Sequence, residues 1–190
     1  MTRNIVHQAR SQRGISLIDM MVTLSVMAIV GSMGTMQITT VRRSLQGDGA
    51  MRLAMTQLNR AREMAITQRR NMEVQFVGNN WIRIVRNEVP SGTTVLANVA
   101  FESNAQYALV SGVGDTPDGF GNSSAISFGS GQPIMFTTDG TLIDSNGSPV
   151  NGTIFLSIAN VPKSARAVTV LGATGRVRGY RWTGLAWTRV

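Results

Sequence analysis

The chain has 190 residues, a formal net charge of +8, no cysteine and a single histidine, His7. That length suits one modest domain with an appendage. Without cysteine there is no disulfide, thiolate nucleophile or Cys-based metal site, and beyond residue 14 there is no histidine for Ser-His-Asp chemistry or a common zinc site. These absences argue against an enzyme, and no cofactor or metal is expected. The close carboxylate pairs Asp115/Asp118 and Asp139/Asp144 lie in Gly/Pro/Ser-rich segments, where Asp is a common turn former. Charge is segregated. Nine arginines fall between Arg42 and Arg86; residues 87–161 carry six acids and no Lys or Arg; residues 162–190 carry six basic residues and no acid. Such segregation predicts a polarised surface.

Residues 1–14 are short and polar, with Arg3, Arg10 and Arg13 and no acid. An apolar run follows from Ile15 to Val41, about 26 residues, in which Asp19 is the one charged residue. A basic flank stays on the cytoplasmic side while such a run inserts, and the run is longer than an ordinary signal core. It predicts a helix about 40 Å long, with Gly31, Ser32 and Gly34 softening its second half. A lone carboxylate in such a segment is expensive and marks a functional position.

Gln46-Gly47-Asp48-Gly49 suits a bend or a breach in the helix. Helical spacing then resumes at Met51, Ala54, Met55, Leu58, Ala61 and Ala65, with Arg52, Arg60, Arg69 and Arg70 mainly off that stripe. After Arg70 the pattern turns to strands. Met72–Val77 and Trp81–Val85 alternate around a Gly78-Asn79-Asn80 turn and predict a hairpin. Further strands are expected at Val95–Phe101, Tyr107–Val110, Ile126–Phe128, Ile134–Phe136, Thr141–Ile143, Thr153–Ile158, Ala167–Leu171, Arg176–Trp182 and Leu185–Thr188. Residues 111–132 read as a loop around the strand at Ile126, and Asn146-Gly147 and Asn151-Gly152 as turns. The expected class is α+β: a long N-terminal helix, its first half transmembrane, followed by a mostly antiparallel sheet domain that covers the helix stripe. The divisions are 1–14, leader; 15–41, membrane and filament-core helix; 42–70, amphipathic continuation; and 71–190, β-rich domain.

Gly14-Ile15-Ser16-Leu17-Ile18-Asp19 with its basic leader resembles the class III signal of type IV pilins and type II secretion pseudopilins. Arg60-Ala61-Arg62 with Ala65-Ile66, Phe136-Thr137-Thr138-Asp139-Gly140, and Gly175-Arg176-Val177-Arg178 resemble segments of the FimT/GspH-like minor pilins. The resemblance implies cleavage after Gly14 by a prepilin peptidase and N-methylation of Ile15. It implies a carboxylate at Asp19 that pairs with the terminal amine of a neighbouring subunit. Here the first mature residue is Ile rather than Phe or Met, and Asp19 stands where Glu is usual, with the same charge and a shorter reach. The resemblance further implies two packed β-sheets after the helix, and residence in the bacterial inner membrane with the domain in the periplasm. Assembly with other pilin or pseudopilin subunits, in a type IV pilus or a type II secretion pseudopilus, would follow.

The C-terminal segment adds an alternative. On a strand over 176–182, Arg176, Arg178 and Tyr180 share a face, with Arg181 near and Lys163 and Arg166 extending the patch. Guanidinium groups bind phosphate bidentately and aromatic rings stack on bases, so DNA is one expected partner, as the resemblance to DNA-binding members of the family also implies. The same arginines also suit solubilisation of a sheet edge, or ion pairs with the acidic 87–161 segment of this or a neighbouring subunit. Trp182 and Trp187 equally suit a core.

Overall fold

The structure, a computed structural model, describes residues 16–129 and 133–190, with the backbone alone at 33–40. Gly14 and Ile15, the expected cleavage and methylation pair, lie outside the described residues. The chain divides into two units at Thr39/Thr40. Helix α1, Leu17–Gln68, contributes to both.

In the first unit, every described side chain from Ser16 to Ser32 is exposed, Leu17 at 77% and Met27 at 71%. The hydroxyls of Thr23, Ser25 and Ser32 donate to the carbonyls of Asp19, Met21 and Ile29, so the helix satisfies its own polar groups. Asp19 is exposed. Among the described residues no helix is long and apolar enough to cross a membrane.

In the second unit, α1 does not bend at Gln46–Gly49; it runs through this segment as regular helix, which corrects the expectation above. The glycines serve contact rather than a break. A Cβ on Gly47 would lie 2.7 Å from the Ser164 carbonyl oxygen, so glycine here lets the helix approach the sheet. Met51, Ala54, Leu58, Ala61 and Ala65 then form the fully buried face of α1.

Two antiparallel sheets share that face. The first is ordered β3-β2-β1-β6-β7, built from β1 (Met72–Val77), β2 (Trp81–Asn87), β3 (Thr93–Ala100), β6 (Ile134–Phe136) and β7 (Leu142–Ile143). The second is ordered β11-β10-β9-β8-β4, from β4 (Ala105–Tyr107), β8 (Gly152–Ile158), β9 (Arg166–Leu171), β10 (Arg176–Trp182) and β11 (Trp187–Arg189), with β5 (Ile126–Ser127) also on β8. The period-two pattern of β1 and β2 turns Met72, Val74, Ile82 and Ile84 inward. From the second sheet Ile154, Leu156, Ile158, Val168 and Val170 join the same core. β8 is buried on both faces. On its outer face Phe155, with Ala167 of β9 and Tyr180 of β10, is covered by Leu109 and Trp187. The expected strand Tyr107–Val110 therefore ends at Tyr107, and the chain after it crosses the outer face of the sheet instead of extending it.

The two glycines of the Gly-Asp-Gly segment should respond oppositely. Gly47→Ala places a methyl against a backbone carbonyl and should cost about 1–3 kcal/mol in denaturant unfolding. Gly49 has open space around it, so Gly49→Ala should gain up to about 1 kcal/mol from helix propensity. A bend at this segment would make both substitutions destabilising.

Candidate functional site

The C-terminal arginines lie on β9, β10 and β11, and three of them are committed inside the protein. Arg166 is wholly buried. Its Nε donates to the Asp48 carboxylate at 2.6 Å, its Nη1 to the carbonyls of Lys163 and Ala165, and its Nη2 to the Ser44 carbonyl and hydroxyl, both at 2.9 Å. Arg181, on the neighbouring strand in register with Arg166, donates to both Asp48 oxygens, at 3.2 and 2.6 Å. One helix carboxylate thus holds two strand guanidiniums.

A second node sits further along β10. Asp118, in the segment that crosses the outer face of the sheet, accepts from Thr169 at 2.6 Å, from Tyr180 at 2.9 Å and from Arg178. Burial alone would raise the Asp118 pKa. The Thr169 and Tyr180 hydrogen bonds and the charge of Arg178 outweigh it, holding the carboxyl below its ordinary value. The Tyr180 hydroxyl is pushed up, by burial and then by its bond to Asp118.

A third node gathers the three domain segments that carried the family resemblance. Arg62 donates to the Gly140 carbonyl at 3.2 Å. A Cβ on Gly175, which has φ +61°, would overlap that same carbonyl and the Arg62 side chain. The helix end, the Asp-Gly turn and the strand-closing Gly-Arg therefore meet in one packing contact.

The residues of the expected arginine face differ in how far the fold engages them. Arg166 cannot reach a ligand, because its guanidinium is enclosed. Arg178 and Arg181 keep side-chain exposures of 26% and 43%, but each is ion-paired. Arg176 and Lys163 are exposed. Arg178 and Tyr180 do share a face, and Asp118 occupies it. The acids of 87–161 are also largely used within the chain. Glu88 pairs with Arg86, Asp115 accepts from the amides of Thr116 and Gly121, and Asp139 accepts from Thr141. Asp144 accepts from the amides of Asn146 and Ser148, which leaves Glu102 exposed. Asp115, Asp139 and Asp144 bond within their own local segments, whereas Asp118, a central residue of the Thr116–Gly119 turn, also reaches β9 and β10 with its carboxylate. Among the described residues no group of three or more His, Asp or Glu is placed to hold a metal ion.

Asp48, Ser44 and Asp118 are the site residues that sequence reasoning missed. An acid between two glycines inside a helical pattern was the one available signal for Asp48. Nothing in the sequence distinguishes Asp118 from a turn aspartate.

A protein-family model, described as type II transport protein GspH, matches residues 50–175, from the buried stripe of α1 to the residue before β10. The chain belongs to the GspH family. It is a member of the minor pilin and pseudopilin group, with the α+β architecture of a helix followed by antiparallel sheets. The matched residues exclude Asp48 and the segment from Arg176 onward. Among solved structures, the type IV minor pilin FimU of Pseudomonas aeruginosa (strain PAO1) is similar at 18% identity, over 68% of this chain and 84% of that one, with a TM-score of 0.48. No curated protein matches.

Because its folded pKa is lowered, Asp118 contributes stability that is fully present above its unfolded value, near 4, and is lost as the pH falls through the lower folded value. Asp118→Asn should be less stable than the parent by about 1–2 kcal/mol at pH 7, from lost charged hydrogen bonds. That gap should narrow as the pH drops below about 4. Unfolding midpoints of the two proteins across pH 2–7 read both effects.

Proposed function

We propose that this GspH-family protein is a minor, non-catalytic subunit of a type IV pilus or type II secretion pseudopilus. In this reading a prepilin peptidase removes residues 1–14 after Gly14, and Ile15 becomes the N-methylated terminus. Residues 15–41 first reside in inner-membrane lipid, with the 71–190 domain in the periplasm. They later pack among other pilin or pseudopilin subunits in the filament core, where Asp19 pairs with the terminal amine of a neighbour.

The observation that carries this reading is the exposure of the apolar part of α1 on all sides from Leu17 to Val30. A helix that is apolar all round is stable only when surrounded. Burying each such Leu, Ile, Met or Val gains roughly 1.5–3 kcal/mol, a driving force that both lipid and neighbouring helices supply. Asp19 is the one charge in that segment, and an unpaired carboxylate in an apolar helical core is costly, so it selects a partner that brings a positive charge. DNA is not proposed as the ligand, because Arg166, Arg178 and Arg181 already bind carboxylates within the fold.

Asp19→Ala should lower recovery of the subunit in sheared filaments at least tenfold, the equivalent of about 1.4 kcal/mol, while thermal unfolding of the Thr40–Val190 unit stays unchanged. Parental recovery of that variant would remove the assembly role of Asp19.

A further inference from the structure

The Asp48 node and the packing along α1 fix the direction of β10. Gly175, just before the strand, packs on Arg62; Gly179 packs on Met55 and Met51; Arg181 binds Asp48. Along the strand the contacts thus step backward along the helix, so β10 runs antiparallel to α1. Its continuation past Arg181 points toward Ser44, the end of the unit at which the chain enters from the apolar segment.

What lies there is a preformed apolar tip. Trp182 and Trp187 pair across β10 and β11, ring centroids 5.3 Å apart, edge to face. Between them Thr183 closes the turn. Its amide and hydroxyl donate to the Ala186 carbonyl at 3.0 and 2.9 Å, and the hydroxyl accepts from the amides of Leu185 and Ala186. Leu185 stands out from this turn at 92% exposure. The Trp187 indole N–H donates to the Gly114 carbonyl, which fixes the ring. Lys163 and Arg189 are exposed, and Arg181 is half-exposed. Residues 162–190 contain no acid, Asp48 is taken by Arg166 and Arg181, and Asp115 beside Gly114 is taken by backbone amides.

We propose that the β10–β11 hairpin tip, Trp182–Trp187 with Lys163 and Arg189 around it, is a docking surface for an anionic lipid bilayer. It seats the second unit on the membrane that holds the apolar part of α1. This rests on the membrane residence proposed above. A lone exposed leucine between two tryptophans suits the interface, where indole rings partition and an aliphatic side chain reaches the acyl boundary. The acid-free basic surround suits anionic headgroups, each cation adding to the attraction within a Debye length. Continuity with the apolar segment makes the contact intramolecular, so even a weak surface is filled at high effective concentration. The same tip, released when the helix leaves the bilayer, becomes free surface in the filament.

The test uses the full chain with Trp81→Phe, so that emission comes from Trp182 and Trp187, reconstituted into vesicles of phosphatidylglycerol or of phosphatidylcholine. Lipids brominated near the headgroup quench only tryptophans at the interface. Quenching should be strong in phosphatidylglycerol, weaker in phosphatidylcholine, reduced by high salt, and lost in Leu185→Asp, whose circular dichroism should match the parent. Lys163→Gln/Arg189→Gln should lower the docking constant on the order of tenfold. Equal emission in brominated and plain vesicles, with the protein still floating with them, would overturn the docking surface and leave the membrane anchor standing. Failure to float would instead remove the anchor and this inference together. Tryptophan quenching or anisotropy change with a short DNA duplex, and none with vesicles, would reassign the tip to nucleic acid.

Discussion

One helix carboxylate, Asp48, receives the guanidiniums of Arg166 and Arg181, one of them wholly buried. A buried arginine without its partner costs several kcal/mol, so this contact decides where the second sheet sits on the helix. The segment around it is built for close approach. Gly47 removes the side chain that would strike the Ser164 carbonyl, and Ser44 supplies two further acceptors for Arg166. The hydrophobic face of α1 provides most of the driving force for packing, but apolar contact is non-directional. The ion-paired node supplies the register that fixes β9 and β10 along the helix.

Much of the chemistry that looked external is consequently internal. The fold spends Arg166, Arg178 and Arg181 on Asp48 and Asp118, and spends most acids of the middle segment on turns. What remains for partners is of a different kind: an apolar helix exposed on all sides, arginines such as Arg52 and Arg60 on its solvent side, and the tryptophan-flanked tip of the last hairpin. These are the surfaces that the proposed function assigns to lipid and to other subunits.

The parts of the fold legible in the sequence were those encoded locally. The i, i+3/i+4 stripe of Met51, Ala54, Leu58, Ala61 and Ala65 is the buried face of α1, and the Gly78-Asn79-Asn80 turn joins β1 to β2 with Val77 opposite Trp81. Alternation on β10 placed Arg178 and Tyr180 together. The failures are long-range. Glycines flanking Asp48 have low helix propensity, so a bend is the local reading; the partners that make them useful, Ser164 and Arg166, are more than a hundred residues away. Arg166 looked like surface because arginine usually is, and only its pairing with a distant acid permits burial. Asp118 does sit in a turn, as its Gly/Pro-rich segment suggests, but only long-range contacts reveal that its carboxylate also ties this segment to the outer face of the second sheet.

The most direct measurement is a double-mutant cycle between Asp48→Asn and Arg166→Met, read by denaturant unfolding of the full chain. The account predicts that each single change destabilises strongly, about 3–5 kcal/mol where a buried partner is orphaned, and that the double mutant recovers about 2 kcal/mol or more of the summed loss. Losses that add within about 0.5 kcal/mol would mean that Asp48 and Arg166 are not energetically joined, and would contradict the node as the anchor of the sheet on the helix.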